Sequence, residues 1–257
     1  MKISQITSIA QVYVRGAFRS HLFTGLVFGV LVLFLGLFLL QFLVTGAAGH
    51  IIQTGSFWIM GIWGLVCALT LGLHSISQEI KNKTHFMILS RPVQRSAFVL
   101  GKFGGIFLVM GVVFCLSCLL WLAMMKIGGV EITAKHGVAL GFILVEWWVL
   151  AGFSLFFACF TSPIFHGIFM VGIYHLGHWS DALAFFADRI ESEVGQGVLT
   201  GLHLLFPNLE SLNFRAQAVY HLAFTDGALL HALAVGLGWA SFMVVLSMVI
   251  FNRRRLM

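Results

Sequence analysis

Glu146 is the side chain whose chemistry fits its surroundings least. It lies in the apolar run FILVEWWVL at residues 142–150, which contains no basic residue that could pair with it. A charged acid exposed to lipid in mid-span costs several kcal/mol, so Glu146 should face the interior of a helix bundle or a water-filled path. Burial there would favour the neutral acid, which can donate a hydrogen bond. Two roles follow: a polar lock between spans, or a group that lines a substrate pathway.

Histidine is the other residue type that suggests site chemistry, with 11 copies in the chain. His175, His178 and Asp181 stand at i, i+3 and i+6, which places three potential ligands for zinc or another transition metal on one broad helix face. A fourth ligand is not evident nearby, so we predict no metal site. The sequence also lacks a Gly-rich phosphate loop followed by Lys and Ser or Thr. We therefore expect no nucleotide site and no catalytic residue in this chain.

A polar interruption at residues 77–96 separates two long apolar segments in a chain that is only 9% charged. The stripe that begins at Ile80 and continues at i+4, i+7 and i+8 predicts a short amphipathic helix. Pro92 then ends that helix and suits the first turn of the next one. The charged side chains of the interruption are Glu79, Lys81, Lys83, Arg91 and Arg95.

The same segment resembles the type-2 family of ATP-binding-cassette (ABC) export permeases. The resemblance rests on the order and spacing of three runs: EIKNKT at 79–84, LSRPVQR at 89–95 and FVLGKFG at 98–104. A weaker match, PNLESLNFR at 207–215, precedes the last apolar segment and is also similar to many of these permeases.

The resemblance implies a permease subunit that forms a translocation pathway with a second permease subunit, either the same chain or a similar one. Cytosolic ABC ATPase subunits would bind ATP and Mg²⁺, so this chain would need no cofactor of its own. Residues of the charged segment would transmit motion from the ATPases: Glu79, Lys81, Lys83, Arg91, Pro92 and Arg95.

Composition places the chain in a membrane independently of any motif. Its hydrophobic content is 60%, against roughly 45–50% for soluble domains. A spanning helix needs about 20 mostly apolar residues, and the sequence predicts six spans. These are Leu22–Thr45, Ser56–Ser77, Ala97–Met125, Val138–Phe160, Ile164–Trp179 and Ala228–Phe251.

The basic residues predict the orientation. With both termini and residues 78–96 on the inner side, that side holds eleven of the 15 Lys and Arg, and Glu79 is its only acid. This positive-inside pattern predicts cytoplasmic termini, and it explains the net charge of +6 without nucleic acid as a partner. The resemblance to ABC export permeases implies a bacterial inner membrane. The eleven are Lys2, Arg15, Arg19, Lys81, Lys83, Arg91, Arg95, Lys102, Arg253, Arg254 and Arg255; the outer four are Lys126, Lys135, Arg189 and Arg215.

Two regions outside the spans have recognisable patterns. Residues 1–20 form a basic amphipathic helix that should lie in the membrane interface, where Arg15 and Arg19 would anchor it to lipid. Arg253, Arg254 and Arg255 would anchor the last span at anionic inner-leaflet lipid. The long outer loop at 180–227 contains two apolar stretches of about nine residues each, too short to span a bilayer, which predicts re-entrant or surface helices.

We therefore predict an all-α polytopic membrane protein, with residues 1–257 as one transmembrane permease domain. Two other function classes stay open. A polytopic membrane enzyme could use histidines and Glu146, and polar residues clustered at one depth in several spans would favour it. A subunit of the same fold could transmit motion without transporting anything, and substrate-stimulated ATPase activity would distinguish that case.

Overall fold

The computed structural model describes residues 3–43, 48–77 and 94–253, and every regular element within these ranges is helical. This confirms the predicted all-α class. The α-helices are α1 (Ile3–Phe18), α2 (His21–Leu40), α3 (Ala48–Gly72), α4 (Arg95–Ile127), α5 (Ala134–Ala158), α6 (Pro163–His178), α7 (Ser180–Ala187), α8 (Glu193–Leu205), α9 (Arg215–Val219) and α10 (Ala228–Arg253). Short 3-10 helices occupy Gln41–Leu43 and Glu210–Leu212, and a π-helical turn, Leu73–Ser77, extends α3.

Five helices of the described chain are long and apolar enough to cross a membrane: α2, α3, α4, α5 and α10. They correspond to five of the six predicted spans. The remaining one is α6, which has 16 residues and is therefore about 24 Å long at 1.5 Å per residue. Since α6 is shorter than the usual hydrocarbon thickness of about 30 Å, a sixth complete crossing stays a prediction.

Local sequence explains most helix boundaries. Ser20 caps α2 by accepting a hydrogen bond from the Phe23 amide, at 3.4 Å. At the start of α5, the Thr133 amide donates to His136 Nδ1 over 3.1 Å, which satisfies a donor that a helix start leaves unpaired. Pro163 opens α6, as its fixed backbone angle predicts.

The start of α3 was predicted wrongly. The glycines between residues 46 and 55 indicated a turn, but α3 begins at Ala48, eight residues before the predicted Ser56. Glycine is tolerated there because neighbouring side chains come close: a Cβ at Gly55 would lie 2.5 Å from Leu37 Cδ1, and one at Gly49 would lie 3.3 Å from Val130 Cγ2. Packing thus outweighs the low helix propensity of glycine.

Helix α5 lies at the centre of the bundle and packs against α3, α10, α4 and α6. Arg95 Nη1 donates to the Asn252 carbonyl oxygen over 3.1 Å, which places the start of α4 beside the end of α10. We call this the basic end of the bundle, because Arg95 and Arg253 both lie there. The opposite end, which holds the α4–α5 connection at 128–133, is called the far end.

The N-terminal helix α1 packs on protein as well as facing outward. Three residues on one face of α1 are buried, namely Ala10, Tyr13 and Ala17. Gly105 of α4 lies against the Tyr13 ring, where a Cβ would lie 2.5 Å from Cδ1. The Tyr13 hydroxyl donates to the Leu71 carbonyl oxygen at the end of α3, at 2.9 Å. Helix α1 is therefore tied to both α3 and α4 at the basic end.

The long connection between α6 and α10 contains the two predicted short helices, α7 and α8, which pack against each other. Helix α8 buries none of its residues, so this pair extends away from the core. The chain then returns through residues 206–222, which we call the strap. The strap runs along α3 and α5 toward the far end and includes α9.

Candidate functional site

Glu146 lies in the middle of α5 and is fully buried. Both of its carboxylate oxygens have charged or titratable partners. Arg215 Nη2 lies 2.8 Å from Oε2, and His178 Nε2 lies 3.2 Å from Oε1. The acid therefore faces the bundle interior, as predicted. It is not the isolated acid that the sequence suggested, because a guanidinium group from the strap pairs with it.

The network continues from Glu146 to the strap through His178, the last residue of α6. His178 Nδ1 lies 3.2 Å from Glu210 Oε2, so one imidazole bridges two carboxylates. Asn213 Nδ2 donates to Glu210 Oε1 over 2.9 Å. Burial alone would raise the pKa of Glu210, but the hydrogen bonds from His178 and Asn213 outweigh burial and lower it. We call Glu146, His178, Glu210 and Arg215 the charge network.

Close packing of small residues lets the strap reach this depth. The Leu209 amide donates to the Gly177 carbonyl oxygen over 3.0 Å, and a Cβ at Gly177 would lie 2.6 Å from Leu209 Cγ. Gly61 of α3 makes room for the guanidinium of Arg215, since a Cβ there would lie 2.5 Å from Nη2. Irregular backbone is tolerated at membrane depth where protein covers it, and these contacts provide that cover.

A second tether holds the strap at the far end. Lys135 Nζ, in the first turn of α5, donates to the carbonyl oxygens of His221 and Leu222 at 2.7 and 2.9 Å. His221 has a φ of 55°, in the left-handed region that few non-glycine residues adopt. The lysine thus stabilises a strained bend, and the strap is fastened to α5 at two depths.

The charge network borders a cavity of about 200 Å³ between α3 and the strap. Arg215 and Asn213 line it from the strap, and Thr54 and Trp58 line it from α3. Arg215 Nε and Thr54 Oγ1 are buried, and neither has a hydrogen-bond partner among the described residues. The network is therefore buried at Glu146 and borders a small cavity at Arg215.

A comparison with known families decides the class. The model of the ABC-2 family of transporter proteins matches residues 33–256, which is most of the chain. The chain belongs to this family. It is a membrane permease component of an ABC transporter, as the motifs at 79–104 indicated. A search of curated proteins finds no match to the sequence.

The candidate metal ligands of this ABC-2 permease are used in other ways. His178 contacts the two glutamates described above, and Asp181 Oδ1 accepts a hydrogen bond from Asn208 Nδ2 at 2.8 Å. His175 Nδ1 lies 2.9 Å from the Val171 carbonyl oxygen in its own helix. Within the described ranges, no group of three or more His, Cys, Asp or Glu side chains is placed to hold a metal ion.

Most of the predicted coupling residues lie outside the described residues: Glu79, Lys81, Lys83, Arg91 and Pro92, together with the anchoring residues Arg254 and Arg255. Arg95 is described and joins α4 to α10 through its bond to Asn252. Arg15, Arg19 and Arg253 are exposed, and their contact with lipid stays a prediction.

Sequence reasoning missed Arg215 and His178 as partners of Glu146, and Glu210 as a second carboxylate that contacts His178. The charge count assigned Arg215 to the outer surface, whereas the structure brings it to the depth of Glu146. One signal was present: an acid without a partner in its own span, and a lone arginine at the end of the PNLESLNFR run. The network also places polar groups at one depth, the arrangement that would favour an enzyme. The charged groups of the network, however, are paired with one another, and this pairing favours a structural role over catalysis.

Proposed function

We propose that this ABC-2 permease is the membrane subunit of an exporter and works with separate cytosolic ABC ATPases. The observation that carries the proposal is the family match over residues 33–256, which covers all five helices able to span a membrane except the first part of α2. Two permease subunits, identical or similar, would enclose the pathway. ATP and Mg²⁺ would bind to the ATPases and not to this chain.

The basic end is the side from which the ATPases would act. The segment at 78–96 connects the end of α3 to the start of α4, and both ends are attached to other helices. The Tyr13 hydroxyl joins α1 to the end of α3, and Arg95 joins the start of α4 to the end of α10. A displacement of the segment would therefore be transmitted to four helices at once. ATP binding would shift the bundle between inward and outward states through these differential contacts.

In this proposal the charge network acts as a lock, that is, it holds the strap against α5. Removing one member of a buried ion pair leaves an uncompensated charge and is strongly destabilising, so the pair resists separation of α5 from the strap. Arg215 also lines the cavity between the strap and α3, and through it this residue would contribute to the pathway. Glu146 would act mainly in holding the strap against α5. Arg215 would both hold the strap and contribute to the pathway.

Coupling can be tested with Glu79→Ala and Arg91→Ala, reconstituted with the ATPase partner in lipid nanodiscs. We expect folded proteins with weaker ATPase docking and a smaller permease-dependent rise in ATPase rate. Arg189→Ala is the matched control, because Arg189 is exposed near α7 and lies over the Phe185 ring. Unchanged pull-down and ATPase rate in both test variants would show an ordinary surface loop, where such charges contribute about 0–1 kcal/mol.

The proposed location is the cytoplasmic membrane of a bacterium, with the basic end and both termini in the cytosol. The basis is the eleven-to-four distribution of basic residues in the sequence. Asn82→Cys and Ser192→Cys test it with a membrane-impermeant maleimide on intact cells, with the unmodified protein as background. We expect labelling at position 192 only. Labelling at 82 and not at 192 would reverse the orientation.

A further inference from the structure

An apolar groove runs between α4 and α10 and is not used by the proposed coupling or by the strap. Its volume is about 390 Å³, within the range of roughly 300–1,000 Å³ that is usual for ligand clefts. Phe103 and Phe107 line it from α4, Trp148 lines it from α5, and Ser241, Val244 and Met248 line it from α10. The groove is thus bounded by three helices.

The shape of the groove follows from how these helices pack. Phe98 and Phe251 stack at the basic end with their ring centroids 5.4 Å apart, which brings α4 and α10 together there. Farther along, Phe107 stacks on Trp148 with centroids 4.5 Å apart and forms an aromatic wall. The facing side of α10 presents the small residue Ser241, so a channel remains between wall and helix. Val244 at its floor is buried, whereas Val245 at its lip is 52% exposed.

The length of the groove corresponds to one leaflet. The lining residues of α10 run from Leu237 to Met248, which is about 16 Å at 1.5 Å per residue. Half of a hydrocarbon core that is about 30 Å thick is about 15 Å. On α4 the lining begins at Leu100, near the start of that helix. The groove therefore has about the length of one leaflet and lies in the half of the bundle nearer the basic end.

Positive charge lies beyond the open end of the groove. Arg95 precedes Leu100 by five residues and Arg253 follows Met248 by five residues, so each lies about 8 Å farther along its helix. Their mutual approach is fixed by the bond from Arg95 to the Asn252 carbonyl oxygen. Neither α4 nor α10 contains an Asp or Glu. Basic pockets between spanning helices on the cytoplasmic side are suited to anionic lipid head groups.

We propose that the α4–α10 groove binds one acyl chain of an anionic phospholipid whose head group pairs with Arg253, which is exposed beyond the end of the groove. The apolar wall, the one-leaflet length and this exposed arginine together match such a lipid. The choice of the inner leaflet rests on the proposed orientation, but the binding site itself does not. By filling the space between α4 and α10, the lipid would stabilise the two helices that the coupling segment is proposed to move.

The test is native mass spectrometry of the full chain in mild detergent, with added dioleoylphosphatidylglycerol or dioleoylphosphatidylcholine as probes. We expect the wild-type protein to retain phosphatidylglycerol preferentially. Ser241→Phe and Val245→Trp should both reduce retention of either lipid by filling the groove; the second changes only its exposed lip. Arg253→Gln should lower the preference for phosphatidylglycerol about fivefold, since one basic residue near the surface contributes about 1 kcal/mol.

Two controls match these variants. Val249→Phe adds an aromatic ring to an exposed position of α10 that does not line the groove, and Arg189→Gln removes an exposed arginine that follows α7. Neither should change retention. Equal retention of the two lipids, unaffected by Ser241→Phe and Val245→Trp, would overturn the site. A groove covered by a second copy of the chain would instead appear as loss of dimer in both variants. Because no ATPase is present, a negative result here is distinct from a failure of the coupling proposal.

Discussion

Helices α2 and α5 differ most among the membrane-spanning helices in how composition relates to position. The most apolar window of α2 has a mean hydropathy of 2.8 but is only 22% buried, whereas that of α5 has a mean hydropathy of 1.9 and is 67% buried. In a soluble protein the more apolar helix would be expected inside. Here lipid is as apolar as leucine, so hydrophobicity does not drive a helix to the centre. Small, aromatic and polar residues mark the interior instead.

The side chains of α5 show what holds it there. Trp147 Nε1 donates to the Met60 carbonyl oxygen over 2.9 Å, and Ser154 Oγ donates to the Ala68 carbonyl oxygen over 2.5 Å. Glu146, the residue before Trp147, pairs with Arg215 of the strap. Helix α2 exposes side chains such as Phe28 and Leu35. Hydrogen bonds and an ion pair therefore fix the position of α5, whereas α2 is positioned by its exposed apolar side chains.

The largest effect should come from Arg215→Ala, which leaves the buried Glu146 carboxylate without its guanidinium partner. We expect a loss of roughly 3–5 kcal/mol in the free energy of unfolding, seen as a marked fall in the melting temperature in detergent. Glu146→Leu should also destabilise, since it leaves Arg215 unpaired, while Glu146→Gln retains shape and hydrogen bonding and should be milder.

The double variant Glu146→Leu/Arg215→Met separates the two roles of this pair. Replacing both partners of a buried ion pair by apolar residues is often neutral or stabilising, so stability should recover. If transport recovers as well, the pair serves only as a lock. If stability recovers while transport stays low, the pair also serves the pathway. Wild-type stability of Arg215→Ala alone would contradict the lock.

The second-largest loss of stability is expected when phenylalanine is replaced by alanine in α5, and the same replacement in α2 is its comparison. Phe153 of α5 is 4% exposed, and Phe28 of α2 is 66% exposed. Phe153→Ala leaves a cavity beside Trp239, whose ring stacks on it at 5.8 Å, and should cost on the order of 2–4 kcal/mol. Phe28→Ala exchanges one lipid contact for another and should change stability by less than about 0.5 kcal/mol. Equal effects in thermal unfolding would remove the distinction between α2 and α5.

Replacing glycine by alanine should change stability in opposite directions at the α3–α5 contact and on α2. A Cβ at Gly64 of α3 would overlap Trp147 Nε1 of α5, while one at Gly36 of α2 would meet nothing within 4 Å in the described structure. Gly64→Ala should destabilise by roughly 1–3 kcal/mol through overpacking. Gly36→Ala should stabilise by about 0.5–1 kcal/mol through helix propensity. Melting temperatures that shift in the same direction would count against the packing argument.

The most local effect should come from the far-end tether. Lys135→Met removes the two hydrogen bonds to the carbonyl oxygens of His221 and Leu222, at a cost of about 1 kcal/mol because the site is exposed. Hydrogen exchange should rise in the strap near residue 221 with little change in global stability. Lys126→Met, at the end of α4, is the matched control. No difference between the two variants in exchange would show that the tether contributes nothing.

Sequence was sufficient for the features that depend on composition along the chain. Hydropathy predicted the five long spans because lipid imposes a minimum apolar length, and Pro163 marked a helix start because its backbone angle is fixed. The burial of Glu146 followed from the cost of a charge in lipid. The start of α3 could not be predicted, because glycines that indicate a turn in sequence are also the residues that permit close packing.

Only the tertiary structure decided which groups meet Glu146. Its partner Arg215 stands 69 residues later, at the start of the five-residue helix α9, which is too short for a helical period to show which side chains point inward. Charge counts assign such a residue to one side of the membrane, but they carry no information about depth. The position of Arg215 depends on Gly61 and Gly177 leaving room for the strap, and contacts between segments so far apart in sequence exist only once the bundle has formed.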